Sequence, residues 1–313
     1  MKKIVIALGG NALQEGKGPA TAEAQLAVVE KTSEYIADII EAGYCVVLAH
    51  GNGPQVGRIL LQNENSVDIT PAMPFDVCGA MSQGMIGYHM QQALKKSLNA
   101  RGIKKDVATV VTQVVVDKND PGFANPTKPI GPFYSKEDAE RLEKEKGYTV
   151  KEDAGRGYRR VVASPIPVEI AELDAVKCLI EGGFTVITVG GGGIPVVKDE
   201  KGNLTGVAAV IDKDLASERL GEDVEADALL ILTAVEKAYI NYGKENELAL
   251  DVISSKQARE YMAQGHFAPG SMKPKIDAAC RFAESKPGRK AIITSLDKAV
   301  EALAGKAGTV ITD

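Results

Sequence analysis

Two lysine-bearing segments stand where helix electrostatics disfavours a positive charge. Ile211-Asp212-Lys213-Asp214-Leu215-Ala216-Ser217 reads as the start of one helix. Ser271-Met272-Lys273-Pro274-Lys275-Ile276 reads as the start of another, with Ser271 as N-cap and Pro274 tolerated in the first turn. A helix N-terminus already carries partial positive charge, so an ammonium group there is unfavourable unless an anion sits between the two. A merely solvated lysine would cost only roughly a few tenths of a kcal/mol. Two such segments, with Asp212 and Asp214 flanking Lys213, favour phosphate binding. Asp214 then either orients the lysines or holds Mg²⁺.

Glycines cluster where those lysines would need help. Three apolar runs, 4–8, 44–49 and 184–189, read as buried strands. They lead into Gly9-Gly10-Asn11, into His50-Gly51-Asn52-Gly53 and into Gly190-Gly191-Gly192-Gly193. Glycine lets backbone N–H groups approach an anion with no Cβ in the way, and a following helix directs its positive end at the same point. In open α/β sheets, ligands bind at the carboxyl ends of strands. Three such turns on one sheet favour an anion pocket over three plain turns.

The familiar nucleotide signatures are missing. There is no GxxxxGK[ST], no GxGxxG after the first strand, and no HRD or DFG pair. His50 adjoins a glycine turn, while His89 and His266 have no spaced partners, so no Ser-His-Asp arrangement emerges. Cys45, Cys78, Cys178 and Cys280 show neither CxxC nor zinc spacing and read as free thiols in apolar space.

The elements that must position these residues alternate. A helix is expected from Thr21 to Ala42, with Leu26, Val29, Ser33, Ile36 and Ile40 on one face and Gly43 ending it. Pro54 suits the first turn of a second helix. Residues 108–116 read as one β-branched strand, 168–181 as a helix, 229–233 as a strand, and Ser271 to Ser285 as a helix. A strand at 291–294, a short helix ending near Gly305 and a strand at 309–312 close the chain. Continuous apolar strands alternating with helices indicate a mostly parallel sheet covered on both faces.

The 313 residues, 44% hydrophobic and 25% charged, suit a folded globular protein rather than a disordered one. A net charge of −5 argues against a nucleic-acid binder that works through bulk positive charge. The apolar run after Met1-Lys2-Lys3 is too short for a signal peptide, and no 18-residue apolar stretch would span a membrane, so a cytoplasmic protein is expected. Residues 117–160 break the alternation. They hold ten Lys and Arg against nine Asp and Glu with few aliphatics, and so read as a solvated linker, flap or small subdomain.

These segments resemble the carbamate kinases of the amino-acid-kinase superfamily. The resemblance lies in Ile6-Ala7-Leu8-Gly9-Gly10-Asn11-Ala12-Leu13, His50-Gly51-Asn52-Gly53-Pro54-Gln55-Val56-Gly57 and Asp76-Val77-Cys78-Gly79-Ala80-Met81-Ser82-Gln83-Gly84. It continues through Asn125-Pro126-Thr127-Lys128-Pro129-Ile130-Gly131, Glu152-Asp153-Ala154-Gly155-Arg156-Gly157 and Gly191-Gly192-Gly193-Ile194-Pro195. It ends with Val210-Ile211-Asp212-Lys213-Asp214-Leu215-Ala216 and Gly270-Ser271-Met272-Lys273-Pro274-Lys275. The strand-end glycines are shared across the superfamily, whereas the Asn-Pro-Thr-Lys-Pro and Ser-Gln-Gly segments are particular to carbamate kinases.

The resemblance implies a three-layer αβα sandwich around a mainly parallel sheet of about eight strands, in a homodimer. It implies reversible phosphoryl transfer between MgATP and carbamate, giving carbamoyl phosphate and MgADP, run toward ATP at the end of arginine breakdown. Residues 1–165 would form the lobe for carbamate or carbamoyl phosphate, with 117–160 protruding and carrying Lys128 over the site. Residues 166–313 would form the nucleotide lobe. Lys128, Lys213, Asp214 and Lys275 carry over as catalytic, with Asp214 a candidate for the metal. Gly9, Gly10, Asn11, Gly51, Asn52 and Gly53 carry over to the substrate, their N–H groups facing its oxygens. Lys213, Lys275, Thr233, Val235 and Met272 carry over to the nucleotide. Many relatives have Asp in a Leu-Thr-Asp-Val stretch where this chain has Leu232-Thr233-Ala234-Val235, which bears on the base contacts. A relative with another acceptor, or a non-catalytic nucleotide or anion sensor, are the alternatives. The first is separated by an acceptor screen, the second by a turnover assay.

Overall fold

The computed structural model describes residues 2–15, 18–152 and 157–313. Strands β1 (Lys3–Leu8), β2 (Cys45–His50), β3 (Val107–Thr109) and β4 (Gln113–Val116) come first. β5 (Lys128–Tyr134), β6 (Val150–Glu152), β7 (Tyr158–Val162), β8 (Pro167–Ile170) and β9 (Thr185–Ile187) follow. Then come β10 (Ile194–Lys198), β11 (Leu204–Gly206), β12 (Ala228–Thr233), β13 (Tyr239–Ile240) and β14 (Leu248–Ala249). β15 (Val252–Ser254), β16 (Lys290–Ser295) and β17 (Thr309–Thr312) are last. The helices are α1 (Ala22–Glu41), α2 (Gly53–Asn65), α3 (Phe75–Ala100), α4 (Pro121–Ala124) and α5 (Lys136–Lys146). They continue with α6 (Leu173–Glu181), α7 (Lys213–Asp223), α8 (Ser255–Ala263), α9 (Met272–Glu284) and α10 (Ala299–Leu303).

The main sheet has eight strands in the order β15-β17-β16-β12-β1-β2-β9-β3. Every neighbouring pair is parallel except β16 with β17. The central strands carry continuous apolar runs because both faces are covered. Ile4, Ile6 and Leu8 of β1 pack with Val46, Leu48, Leu230 and Leu232 beneath α1, α3 and α10. Val5 and Ala7 of the same strand pack with Val47, Ala49, Leu229 and Ile231 beneath α6, α7 and α9. A two-residue side-chain period divides one strand between two cores, and each buried Val, Leu or Ile contributes about 1.5–3 kcal/mol. The expected sandwich is present. No described helix is long and apolar enough to cross a membrane.

Two elements differ from the sequence expectation. The run 108–116 is not one strand but β3 and β4, which lie in different sheets: the main sheet and a second one ordered β11-β10-β4-β8. The Gln83 side chain on α3 forces the break. Its Oε1 accepts the Thr112 N–H at 2.8 Å, and its Nε2 donates to the Thr112 carbonyl at 3.1 Å and the Gly190 carbonyl at 2.8 Å. The Gln83 amide thus pairs with both backbone groups of Thr112, whose carbonyl also accepts the Ile194 N–H of β10 at 2.9 Å. The helix expected at 168–181 begins only at Leu173, because Pro167–Ile170 pairs antiparallel with β4 as β8. Ile170 therefore reaches the core from a strand.

Within 117–160, and running just past it, β5, β6 and β7 form a three-stranded antiparallel sheet joined by α5. Ser135 caps α5 by accepting the Asp138 N–H, and Gly147 ends it at φ 64°. Ile130, Ala139, Leu142, Val161 and Val162 are its buried apolar residues, too few for a core layer of the main domain. Residues 153–156 of the Glu152-to-Gly157 segment lie outside the described residues.

Candidate active site

The carboxyl ends of β1, β2 and β12 meet the first turns of α7 and α9. Asp212 is the N-cap of α7, its Oδ1 accepting the Asp214 N–H at 2.9 Å. That cap starts the helix at Lys213 and places Lys213 and Asp214 in its first turn. The Asp214 carboxylate is buried and bridges two ammonium groups. Lys213 Nζ lies 2.5 Å from Oδ1, and Lys275 Nζ, arriving from the first turn of α9, lies 2.9 Å from Oδ2. The two lysine segments singled out by helix electrostatics thus converge on one carboxylate. Lys273, the other lysine of that turn, is exposed.

Burial lowers the Lys213 pKa below its ordinary value, with Asp214 opposing the fall and Lys275 adding to it. Burial alone would raise the Asp214 carboxyl, but the Lys213 and Lys275 ammonium groups together outweigh it and hold the group below the usual carboxylate range. The Lys213 and Asp214 shifts thus depend on each other and on the neighbouring Lys275 ammonium.

Ser271 holds the N-cap position of α9, but its side chain caps nothing. The Lys273 N–H goes instead to the Ala268 carbonyl at 3.0 Å. Ser271 lines two adjoining cavities. The smaller, about 320 Å³, is bounded by Gly9, Gly10, Asn11, Lys213 and Lys275. The larger, about 580 Å³, shares Thr233, Ala234, Ser271 and Lys275 with it and extends over Val235, Met272, Tyr239, Tyr242, His266 and Phe267. Lys275 therefore stands at the junction of the two. Thr233, Val235 and Met272 line the larger cavity, as the resemblance implies for a nucleotide.

The second glycine turn works differently from the expected row of donors. The Gly51 N–H is taken by the Leu8 carbonyl at 3.0 Å, so it does not face an anion. What Gly51 contributes is room, since a Cβ there would lie 3.2 Å from Lys213 Cδ. Asn52 is the N-cap of α2, and Gly53 is the first residue of that helix. The Asn52 side chain donates to Ser82 Oγ at 2.8 Å rather than capping. The third turn is no open cradle either. Gly190 to Gly193 are buried, and a Cβ on Gly191 or Gly192 would fall within 2.2 Å of the Asn52 amide or the Ile211 carbonyl. These glycines let the chain press against the site and hold its residues in place.

His50 is buried, and burial lowers its pKa to about 4 against the opposing Gly51 hydrogen bond. The ring is therefore neutral at pH 7, with Nδ1–H donating to the Gly51 carbonyl at 2.8 Å. Lys128, at the start of β5, reaches the same region from the small subdomain. Its Nζ lies 3.1 Å from Asp212 Oδ2.

Among the described residues, no group of three or more His, Cys, Asp and Glu side chains is placed to hold a metal ion. Asp214 gives both oxygens to lysines, so the arrangement favours its orienting role over a metal-ligand role. Mg²⁺ commonly binds through one or two carboxylates plus substrate phosphates. This donor set fits an ion that enters on a nucleotide, not a resident one.

Sequence reasoning gave no role to Asp212 beyond its place beside Lys213, nor to Gln83, Tyr239, Tyr242 or Phe267. Aromatic residues are 5% of the chain, so Tyr239 and Tyr242 shortly after the Thr233 strand end were a usable signal, whereas Phe267 reaches the cavity only through the fold.

Comparison with known proteins bears on this geometry. The profile of the amino acid kinase family matches residues 2–295. The chain is 55% identical over 312 residues to a carbamate kinase of Clostridium perfringens, covering 99% of both chains. It is 56% identical over 313 residues to the carbamate kinase-like protein YqeA of Escherichia coli, again covering 99% of both. Among solved structures it is similar to the carbamate kinase from Giardia lamblia bound to AMP-PNP. There the TM-score is 0.94 at 47% identity, over 99% of this chain and 98% of that one.

Proposed function

Since the chain belongs to the carbamate kinases of the amino acid kinase family, we propose that it transfers a phosphoryl group reversibly between MgATP and carbamate, giving carbamoyl phosphate and MgADP. The observation that carries the chemistry is the Lys213–Asp214–Lys275 bridge at the mouth of two joined cavities. The larger cavity takes the adenosine, with Thr233, Val235 and Met272 on its wall. The smaller takes the phosphates, between Gly9-Gly10-Asn11 and the two lysines. The Giardia relative solved with AMP-PNP supports a nucleotide as ligand. Asn11, Asn52, Gly53 and Lys128 bound the acceptor side.

Phosphoryl transfer passes through a loose transition state with charge spread over the equatorial oxygens, so catalysis is mostly positioning and charge stabilisation. Lys213 and Lys275 have two N–H bonds each beyond the one given to Asp214, and these face the transferred group. Mg²⁺ comes with the nucleotide and neutralises phosphate charge. Lys128 closes on the acceptor side, and the subdomain over it keeps water from the unstable carbamate.

In the cell we place the enzyme in the cytoplasm, working toward ATP at the end of arginine breakdown. Residues 1–165 act as the acceptor lobe and 166–313 as the nucleotide lobe. We further propose a homodimer. Exposed apolar side chains concentrate between Leu61 and Tyr88, including Ile69, Met73, Val77 and Met81, and such a patch marks an interaction surface.

The test is ATP formation from carbamoyl phosphate and ADP, with and without Mg²⁺, followed by a coupled assay. Magnesium-dependent ATP formation is expected. Folded protein giving no ATP above background overturns the reading. ATP formation with acetylglutamate phosphate or a nucleoside diphosphate in place of carbamoyl phosphate would move the acceptor elsewhere.

A further inference from the structure

Asp212 uses its two oxygens on two different parts of the molecule. Oδ1 accepts the Asp214 N–H at 2.9 Å and so sets the start of α7. Oδ2 accepts from Lys128 Nζ at 3.1 Å, a residue 84 positions earlier on the small subdomain. The backbone repeats this connection beside it. The Val210 N–H donates to the Ala163 carbonyl at 2.9 Å, and Ala163 and Ala209 form a parallel bridge. Ala163 follows directly on β7, whose Val162 pairs with Lys128. Lys128 and the segment that leads into Lys213 are thus joined by a side chain and by the backbone. The Asp212 side chain is 15% exposed and that of Lys128 37%.

We infer that Asp212 is a positioning residue for phosphoryl transfer. It fixes the Lys128 ammonium relative to the Lys213, Asp214 and Lys275 cluster. An ammonium group has three N–H bonds. Asp212 takes one and thereby sets where the other two point. It acts through Lys128, so the inference rests on the reading of Lys128 as the acceptor-side lysine. Without the carboxylate, Lys128 samples many rotamers in solvent, and that freedom must be given up at every turnover.

The test is a double-mutant cycle. Asp212→Asn keeps an oxygen for the Asp214 N–H and removes the charge that holds Lys128. In the parent it is expected to lower kcat/KM for carbamoyl phosphate on the order of ten- to a hundredfold, the range for hydrogen bonds to charged groups. In a Lys128→Met background the same substitution should change it less than about threefold. The KM for ADP and the unfolding midpoint should stay at the parent values. Asp212→Ser, a second good N-cap too short to reach Lys128, should behave like Asp212→Asn. Equal losses in both backgrounds would show that Asp212 acts through the fold or by its own contact, and would overturn the inference. A loss in Lys128→Met with none in Asp212→Asn would overturn it while sparing the reading of Lys128. Full activity in Lys128→Met would overturn that reading, and the inference with it.

Discussion

Replacing Asp214 by asparagine removes one negative charge from a buried group of three and preserves its shape. The carboxylate lies 2.5 Å from one ammonium and 2.9 Å from the other, and its side chain is 3% exposed. At an effective dielectric of about 20, unit charges 2.9 Å apart attract by roughly 6 kcal/mol, and desolvation offsets much of that. Removing one partner of a buried pair costs about 3–5 kcal/mol, because the remaining charge stays buried and unpaired. Here two ammonium groups remain. The asparagine NH₂ must also face one of them, donor to donor. A loss of about 3–5 kcal/mol is a large part of the roughly 5–15 kcal/mol that keeps a protein folded, and should lower the melting temperature on the order of 10 °C.

Turnover should fall on the order of 10²–10³-fold, because Lys213 and Lys275 lose the group that aims them. Differential scanning fluorimetry with and without ADP, beside steady-state ATP formation, reads both effects. Bound phosphates can replace the lost negative charge, so ADP should raise the melting temperature of Asp214→Asn more than that of the parent. The dependence on Mg²⁺ concentration should stay as in the parent, since the carboxylate is committed to lysines. A raised Mg²⁺ requirement at parental stability would make Asp214 a metal ligand. Parental turnover together with a parental melting temperature would refute the account of the bridge altogether.

Four further substitutions probe the rest of the site. Lys128→Ala should weaken carbamoyl phosphate use strongly and leave ADP affinity by calorimetry nearly unchanged, while Lys275→Ala should lower ADP affinity; equal loss of ADP affinity in both would remove Lys128 from the acceptor side. Gly51→Ala places a Cβ 3.2 Å from Lys213 Cδ and should displace that stem, lowering turnover by more than about tenfold with little change in stability; parental kinetics would show that the close approach is idle. His50 has a pKa of about 4 in the folded chain against an ordinary 6.5, so the unfolded chain takes up its proton first as pH falls. The stability from its neutral burial is complete above pH 6.5 and is lost as pH falls toward 4, by roughly 3 kcal/mol in all. Urea unfolding of parent and His50→Asn at pH 7.5, 5.5 and 4.5 should show that slope only in the parent, and parallel curves would refute it.

The main sheet was legible because its central strands hold continuous apolar runs and sit between amphipathic helices. Ile4 to Leu8 need only local pattern to be read. The break at Thr112 was not legible, since it depends on Gln83, a side chain some thirty residues away that pairs with backbone across the switch between sheets. Val110, Val111 and Thr112 have the β-branched character of their neighbours, so no local signal marks the change. Pro167 to Ile170 misled for a related reason. Ile170 stands at helical spacing from Leu173 and Val176, yet it is buried from a strand whose partner, β4, was itself unrecognised.

In the site, Lys213 and Lys275 were legible because their positions conflict with the helix dipole, and such a conflict needs an explanation outside the helix, whereas Lys128, on a strand, was reached only through the resemblance. The function of the glycines was only half legible. Sequence distinguishes neither an open turn from a packed one nor a free N–H from a used one. Gly51 and Gly190 to Gly193 read as donors to an anion, whereas their lack of a Cβ serves Lys213, Asn52 and Ile211.

The two aspartates explain how three lysines can occupy one site in a folded protein. Burial lowers the Lys213 pKa, so a cluster of ammonium groups alone would tend to lose a proton and with it the charge that phosphate chemistry needs. Asp214 counters this for Lys213 and also pairs with Lys275, while Asp212 holds Lys128. Each lysine uses one N–H on a carboxylate and keeps two. Two carboxylates for three lysines leave an excess of positive charge, so a phosphate is still attracted. A third carboxylate would make the empty site neutral and weaken that attraction, while a single one would leave a lysine with no carboxylate to hold or aim it. The sequence Asp212-Lys213-Asp214 thus carries both counter-charges within one turn of the lysine at the centre. Their opposite orientations follow from the helix start, with Asp212 outside it as the cap and Asp214 inside it facing the core.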